Sequence, residues 1–146
     1  MDFTRDPQEF SSYLNIVKRD WVRASQQFTA LVEHWQSVTA QYYPNLVEIG
    51  PAEEPNIIKG KVLGKSFLLE LNPCAKDKIG YAEVVLSTNK PGYSSAELGR
   101  FHFLRDGSAV GIDGTVLADP NADLYSYGIF TSILQAVLEA PATLRN

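Results

Sequence analysis

Apolar residues return at alternating steps of three and four along the first third of the chain: Phe10, Leu14, Val17, Trp21, Ala24, Phe28, Leu31, Trp35, Val38 and Tyr42. That is the period of a single helical face. Just ahead of it, Asp6-Pro7-Gln8-Glu9 supplies an N-cap acceptor, a proline suited to the first helical position and a carboxylate at the third, which together start a helix at Pro7. Pro44 ends the pattern. The spacing predicts a helix over about 7–42, roughly 54 Å long at 1.5 Å per residue, whereas a five-stranded sheet is only about 24 Å across. The helix must overhang. Either it breaks near Ser25-Gln26-Gln27 or something outside the domain covers the surplus seam, and a second copy of the chain is the first candidate. The aromatics on the seam are too bulky for an ordinary two-stranded coiled coil, so a ridge lying across a sheet is the expected use.

From 46 onward the pattern changes to short runs rich in branched and aromatic residues, separated by Gly, Pro and Asn: 46–49, 57–63, 66–71, 79–87, 98–104 and 109–112. These read as strands. Asp106-Gly107 and Asp113-Gly114 predict tight hairpins whose central residues take positive φ, so the sheet is expected to be antiparallel. The polar, proline-bearing stretches 72–78 and 88–95 are expected as loops long enough to carry function. Asp119-Pro120 repeats the capping device, with Asp123 as a second carboxylate in the first turn, and Leu124, Tyr127, Phe130, Ile133, Leu134, Val137 and Leu138 then keep a period near 3.6 up to Pro141. A helix over about 120–140 follows. The fold class read from this order is α+β. One domain over 1–146 holds a long N-terminal amphipathic helix, an antiparallel sheet of about five to six strands, and a C-terminal helix packed on the sheet.

Composition adds bounds. A chain of 146 residues, 45% hydrophobic, with seven Phe, seven Tyr and two Trp, is large enough for one core and too aromatic for disorder. No apolar run approaches the ~18 residues of a membrane span, so no membrane partner is expected. The opening MDFTRDPQEF lacks a basic segment followed by an apolar one, and no secretory leader is expected. A single cysteine excludes an internal disulfide framework and a multi-thiolate zinc site and fits a reducing, cytoplasmic setting.

The net charge of −4 hides a pattern: residues 1–54 carry four basic and eight acidic groups, 55–105 eight and four, and 106–146 one and five. Acidic ends around a basic middle fit charge complementarity within one domain. Nucleic-acid binding through Lys59, Lys61, Lys65, Lys76 and Lys78 therefore ranks last among the candidate functions.

The motifs for chemistry fall short one by one. Gly60-Lys61-Val62-Leu63-Gly64-Lys65-Ser66 is one residue shorter than a phosphate loop and runs into a strand-like segment where that loop needs a helix, so Gly64-Lys65 is expected as a hairpin turn. Gly99-Arg100-Phe101-His102-Phe103 is similar over five residues to the aromatic strand of RNA-recognition sheets but lacks the full spacing; alternation makes Phe101 and Phe103 a core-facing pair. Cys74 has Lys76 nearby but no histidine near it in sequence, and His34 has Ala30 and Val38 four residues away, neither of them a ligand.

One constellation remains. Glu70, Glu83 and His102 each alternate away from apolar neighbours, so on adjacent strands two carboxylates and an imidazole would share a face, with Arg100 beside them. Those four are the candidate ligand-binding residues. The set could bind a metal or move a proton, and it is also the ordinary pattern of a solvated sheet face. No catalytic residue, metal site or cofactor is assigned. The reading that follows is a noncatalytic protein-binding or regulatory module, of adaptor, chaperone-like or immunity type, that acts as a homodimer anchored by Trp21, Phe28 and Trp35. The alternative is a small-molecule-binding protein or enzyme whose pocket lies between sheet and helices, with Glu70, Glu83, Arg100 and His102 as its polar groups.

Overall fold

Helix α1 runs unbroken over Pro7–Tyr42 in the computed structural model, which describes residues 1, 3–52, 56–88, 92 and 95–141. Its start is the expected one: the Asp6 carboxylate accepts the Gln8 N–H at 3.0 Å. At the other end the Tyr43 N–H reaches the Thr39 carbonyl. Ser25-Gln26-Gln27 lies within the continuous helix, so the helix does not break there.

Seven strands follow, β1 (Val47–Ile49), β2 (Ile57–Val62), β3 (Lys65–Lys76), β4 (Ile79–Thr88), β5 (Glu97–Phe103), β6 (Ala109–Val110) and β7 (Val116–Ala118). They pair antiparallel in chain order as one sheet. The sheet is thus larger than the five to six strands expected: β7 is additional, and β3 continues through Asn72–Lys76, which read as a loop. Pro73 caused that misreading. Strand β2 ends with Ile57 opposite Glu70, so beyond that point β3 has a ladder partner on one side only, where a residue without an N–H is tolerated. Asp77 and Lys78, both at positive φ (52° and 64°), close the β3–β4 hairpin in the way that two-residue turns require.

The Asp-Gly turns differ from expectation in a similar way. Only Gly107 and Gly114 take positive φ, 91° and 90°, while the Asp106 and Asp113 carboxylates accept the N–H groups of Ser108 and Thr115. Each loop is therefore longer than a two-residue hairpin, with the aspartate holding the turn and the glycine supplying the left-handed residue. Helix α2 spans Tyr125–Glu139 and starts five residues later than Asp119-Pro120 suggested. Asp119 instead accepts the Asn121 N–H in a separate turn, and Leu124 at φ 61° is left-handed, which excludes it from a right-handed helix. The expected 88–95 loop lies largely outside the described residues.

Alternation along the strands turns one face of the sheet toward both helices. Ile58, Phe67, Leu69, Leu71, Ala82, Val84, Leu86 and Phe103 are buried against Ala24, Phe28, Val32 and Trp35 of α1 and Phe130, Ile133 and Val137 of α2. Trp35 stacks on Phe130 with ring centroids 5.0 Å apart, and Phe28 meets Trp35 and Phe103 edge-on. The two helices are joined through Ser126, which accepts the Trp35 indole N–H at its carbonyl and hydroxyl oxygens and lies 2.6 Å from His34 Nδ1. His34 is thereby a helix–helix tie. At the far end of α2 the Lys65 ammonium donates to the Ala140 carbonyl, where the helix dipole favours a cation. Among the described residues no helix is long and apolar enough to cross a membrane.

Helix α1 approaches the sheet most closely at the start of β4. A Cβ on Gly80 would stand 2.4 Å from the Val17 carbonyl oxygen. Asp20, only 4% exposed, accepts the Gly80 N–H at 3.0 Å and the Arg105 guanidinium at 3.1 Å. N-terminal to this contact no residue of the helix is buried, and Phe10 and Leu14 stand 40% and 50% exposed.

Candidate functional site

The sheet register brings the four predicted polar residues onto one face. Glu83 pairs with His102, Val85 with both Glu70 and Arg100, Asn72 with Glu83, and Cys74 with Tyr81. This face is the one turned away from the helices. Glu83 and His102 sit opposite each other, but His102 Nε2 is 3.9 Å from Glu83 Oε2, beyond hydrogen-bond distance. Arg100 is taken up elsewhere: its guanidinium clamps the Glu97 carboxylate with two hydrogen bonds and reaches Glu83 at 3.2 Å. The clamp lowers the Glu97 carboxyl below its ordinary range and raises the guanidinium further above its own. A register shift between Leu86 and Ser87 sets Glu97 within reach of Arg100.

Beside this network Tyr81 packs on His102 with ring centroids 4.4 Å apart. Burial and the neighbouring Glu83 carboxylate push the Cys74 thiol up, and burial, Cys74 and Glu83 push the Tyr81 phenol up. A thiol moved in that direction is a poorer nucleophile at neutral pH. Among the described residues no group of three or more His, Cys, Asp or Glu is placed to hold a metal ion. On the outer face the Arg100 guanidinium is shared between the Glu97 and Glu83 carboxylates.

A cavity does lie between sheet and helix, but on the other side. It has a volume of about 610 Å³ and is bounded by β4 to β7, the 119–124 turn and α2. Glu70, Glu83 and His102 are not in its wall, since alternation turns them to the opposite face. Arg100 borders it while its guanidinium is committed to Glu97 and Glu83. Of the four candidate residues, Arg100 is the one that lines this cavity among the described residues.

Small residues make up part of its lining: Ala109, Ala118 and Ala136, with Gly99, Gly128 and Ser132 exposed toward its opening. Gly99 and Gly128 have no positive φ, and a Cβ on either would meet no atom within 4 Å. Neither the backbone nor close packing requires glycine there. Gly128 inside α2 costs about 1 kcal/mol of helix stability relative to Ala. Glycine inside a strand and inside a helix was the signal in the sequence for this cavity; it becomes readable only when β5 and α2 are known to face each other.

The aromatic seam divides in two. Phe28 and Trp35 are core side chains with 0% exposure, so their surface is used within the chain. Trp21 is half-buried and borders a shallow groove with Val22, Ser25, Gln26 and Asn56. The apolar surface left open on this stripe lies at its C-terminal end, at Tyr42, and at its N-terminal end, at Phe10 and Leu14. There the Arg5 guanidinium lies over the rings of Phe10 and Tyr13, 5.9 and 5.7 Å from their centroids.

Comparison with protein-family models, with curated proteins and with solved structures finds no match.

Proposed function

We propose that this chain is a noncatalytic protein-binding module, of adaptor, chaperone-like or immunity type, that works as a homodimer joined through the N-terminal part of α1. One observation carries the reading. The helical stripe that forms the core from Ala24 onward continues outward through Leu14 to Phe10, where those side chains stand half in solvent. Burying a large apolar side chain contributes about 1.5–3 kcal/mol, and a helix start without tertiary contacts is marginal by itself. A second copy supplies the missing contact. Within the helix the first turn carries Glu9, and Lys18, Arg19 and Arg23 lie further on, with Asp20 turned into the sheet contact. Two such helices crossing antiparallel about a two-fold axis set unlike charges side by side. Trp21 extends the same contact, while Phe28 and Trp35 support it from the core.

Sedimentation equilibrium over a range of micromolar concentrations tests this. The unaltered chain is expected as a dimer whose thermal midpoint rises with protein concentration, and the double variant Phe10→Asp, Leu14→Asp as a folded monomer with a lower midpoint that no longer depends on concentration. A monomeric unaltered chain overturns the proposal, as does a dimer that survives the double substitution.

A further inference from the structure

The cavity beneath α2 is separate from the α1 surface and needs no second copy to be complete. We infer that it is a binding site for a single-chain amphiphile, an apolar tail carrying a cationic ammonium head. Its volume of about 610 Å³ falls within the usual span of small-molecule sites. The walls include Leu86, Phe101, Ile129 and Ile133, which offer an apolar tail nothing but hydrocarbon. Leu117 and Leu124 also line it and stand 60% and 72% exposed, an apolar lip at the opening.

Charge selects the head. Of the polar residues that border the cavity, Tyr125 donates its hydroxyl to the Gly107 carbonyl and Arg100 is held by Glu97 and Glu83. The remaining charged groups are Asp119 and Asp123. Asp119 has one carboxylate oxygen on the Asn121 N–H, and Asp123 has no ion pair or hydrogen bond among the described residues. A carboxylate or phosphate head would meet two like charges, and an ammonium head meets its complement. Gly99 and Gly128 stand exposed in its wall, and a Cβ at either would meet no atom within 4 Å, so a larger side chain is accommodated at the rim without a clash.

Calorimetric titration with dodecylammonium, dodecanoate and dodecanol, each below its micelle-forming concentration, tests the inference. Dodecylammonium is expected to saturate one site per chain roughly tenfold more tightly than dodecanoate. Gly128→Leu and Gly99→Val fill the opening without changing charge. Each is expected to weaken dodecylammonium roughly tenfold or more while leaving the thermal midpoint no lower. Asp123→Asn is expected to narrow the preference for the amine to about threefold or less. Dodecanoate binding as tightly as the amine overturns the inference, and so does binding that both filled variants leave unchanged. Absence of saturable binding by all three probes also overturns it. A lysine- and leucine-rich amphipathic peptide that binds the unaltered chain but not the filled variants, where the amphiphiles bind neither, assigns the cavity to a protein segment instead.

Discussion

The Asp20 carboxylate accepts the backbone N–H of Gly80 at 3.0 Å inside the helix–sheet interface. This bond fixes where the long helix crosses the sheet, because the same glycine lets the Val17 carbonyl come closer than any side chain would allow. It also sets how much of α1 is left without cover, since everything before Val17 lies beyond the crossing.

Substitutions at this crossing should separate the two effects. Gly80→Ala forces a Cβ against backbone and is expected to cost about 1–3 kcal/mol as an overpacking change. Asp20→Ala leaves a buried N–H without a partner, at a cost of about 1–3 kcal/mol. Arg105 is largely exposed, so Arg105→Ala should cost less than about 1 kcal/mol. Urea unfolding of the three variants checks the order; a neutral Gly80→Ala would show that the close approach is not made.

The β3–β4 turn is built from residues ill-suited to it. Asp77 and Lys78 both sit at positive φ, where a side chain costs about 1 kcal/mol or more relative to glycine. Asp77→Asn with Lys78→Gly restores the favoured dipeptide and is expected to stabilise the protein by about 1 kcal/mol. Differential scanning calorimetry reads this as a higher thermal midpoint.

Cys74 should be slow to react despite its partial exposure. Burial and the Glu83 carboxylate hold its thiol above the ordinary value, so alkylation by iodoacetamide at neutral pH is expected to lag behind that of a free cysteine. Glu83→Gln removes a raising influence and should speed the reaction at fixed pH. An unchanged rate in that variant would mean that the carboxylate does not act on the thiol.

Tyr125 gives the fold an alkaline limit. Burial, then the Asp106 carboxylate, push its hydroxyl up to about 12, against about 10 in the unfolded chain. With the folded value above the unfolded one, the neutral phenol contributes its full stabilisation below about pH 10, and this is lost as pH rises through about 12. Urea midpoints measured across that window should fall more steeply for the unaltered protein than for Tyr125→Phe, which lacks the titrating group.

How much was legible in the sequence depended on the range of the physics. Asp6-Pro7 and Pro44 bracket α1 through contacts within a few residues of chain, and alternation along β4 and β5 is enough to put Glu83 and His102 on one face. Local signals misled where two devices share residues. Asp119-Pro120 makes a turn of its own, and the left-handed Leu124 then delays α2; Pro73 looks like a loop residue until the end of β2 leaves that part of β3 with one neighbour.

By itself, then, the amino-acid pattern determined the order of a long helix, antiparallel strands and a closing helix, the amphipathic stripe of α1 and the alternation of faces along the strands it located, because those follow from backbone periodicity and short-range capping. Only the tertiary structure decided which part of the stripe becomes core and which stays open, through the crossing at Gly80. It also decided that Arg100 is consumed by Glu97 and Glu83, and that Gly99 and Gly128 face one cavity. Each of these needs residues far apart in the chain to meet, and that is settled by how the helices pack on the sheet.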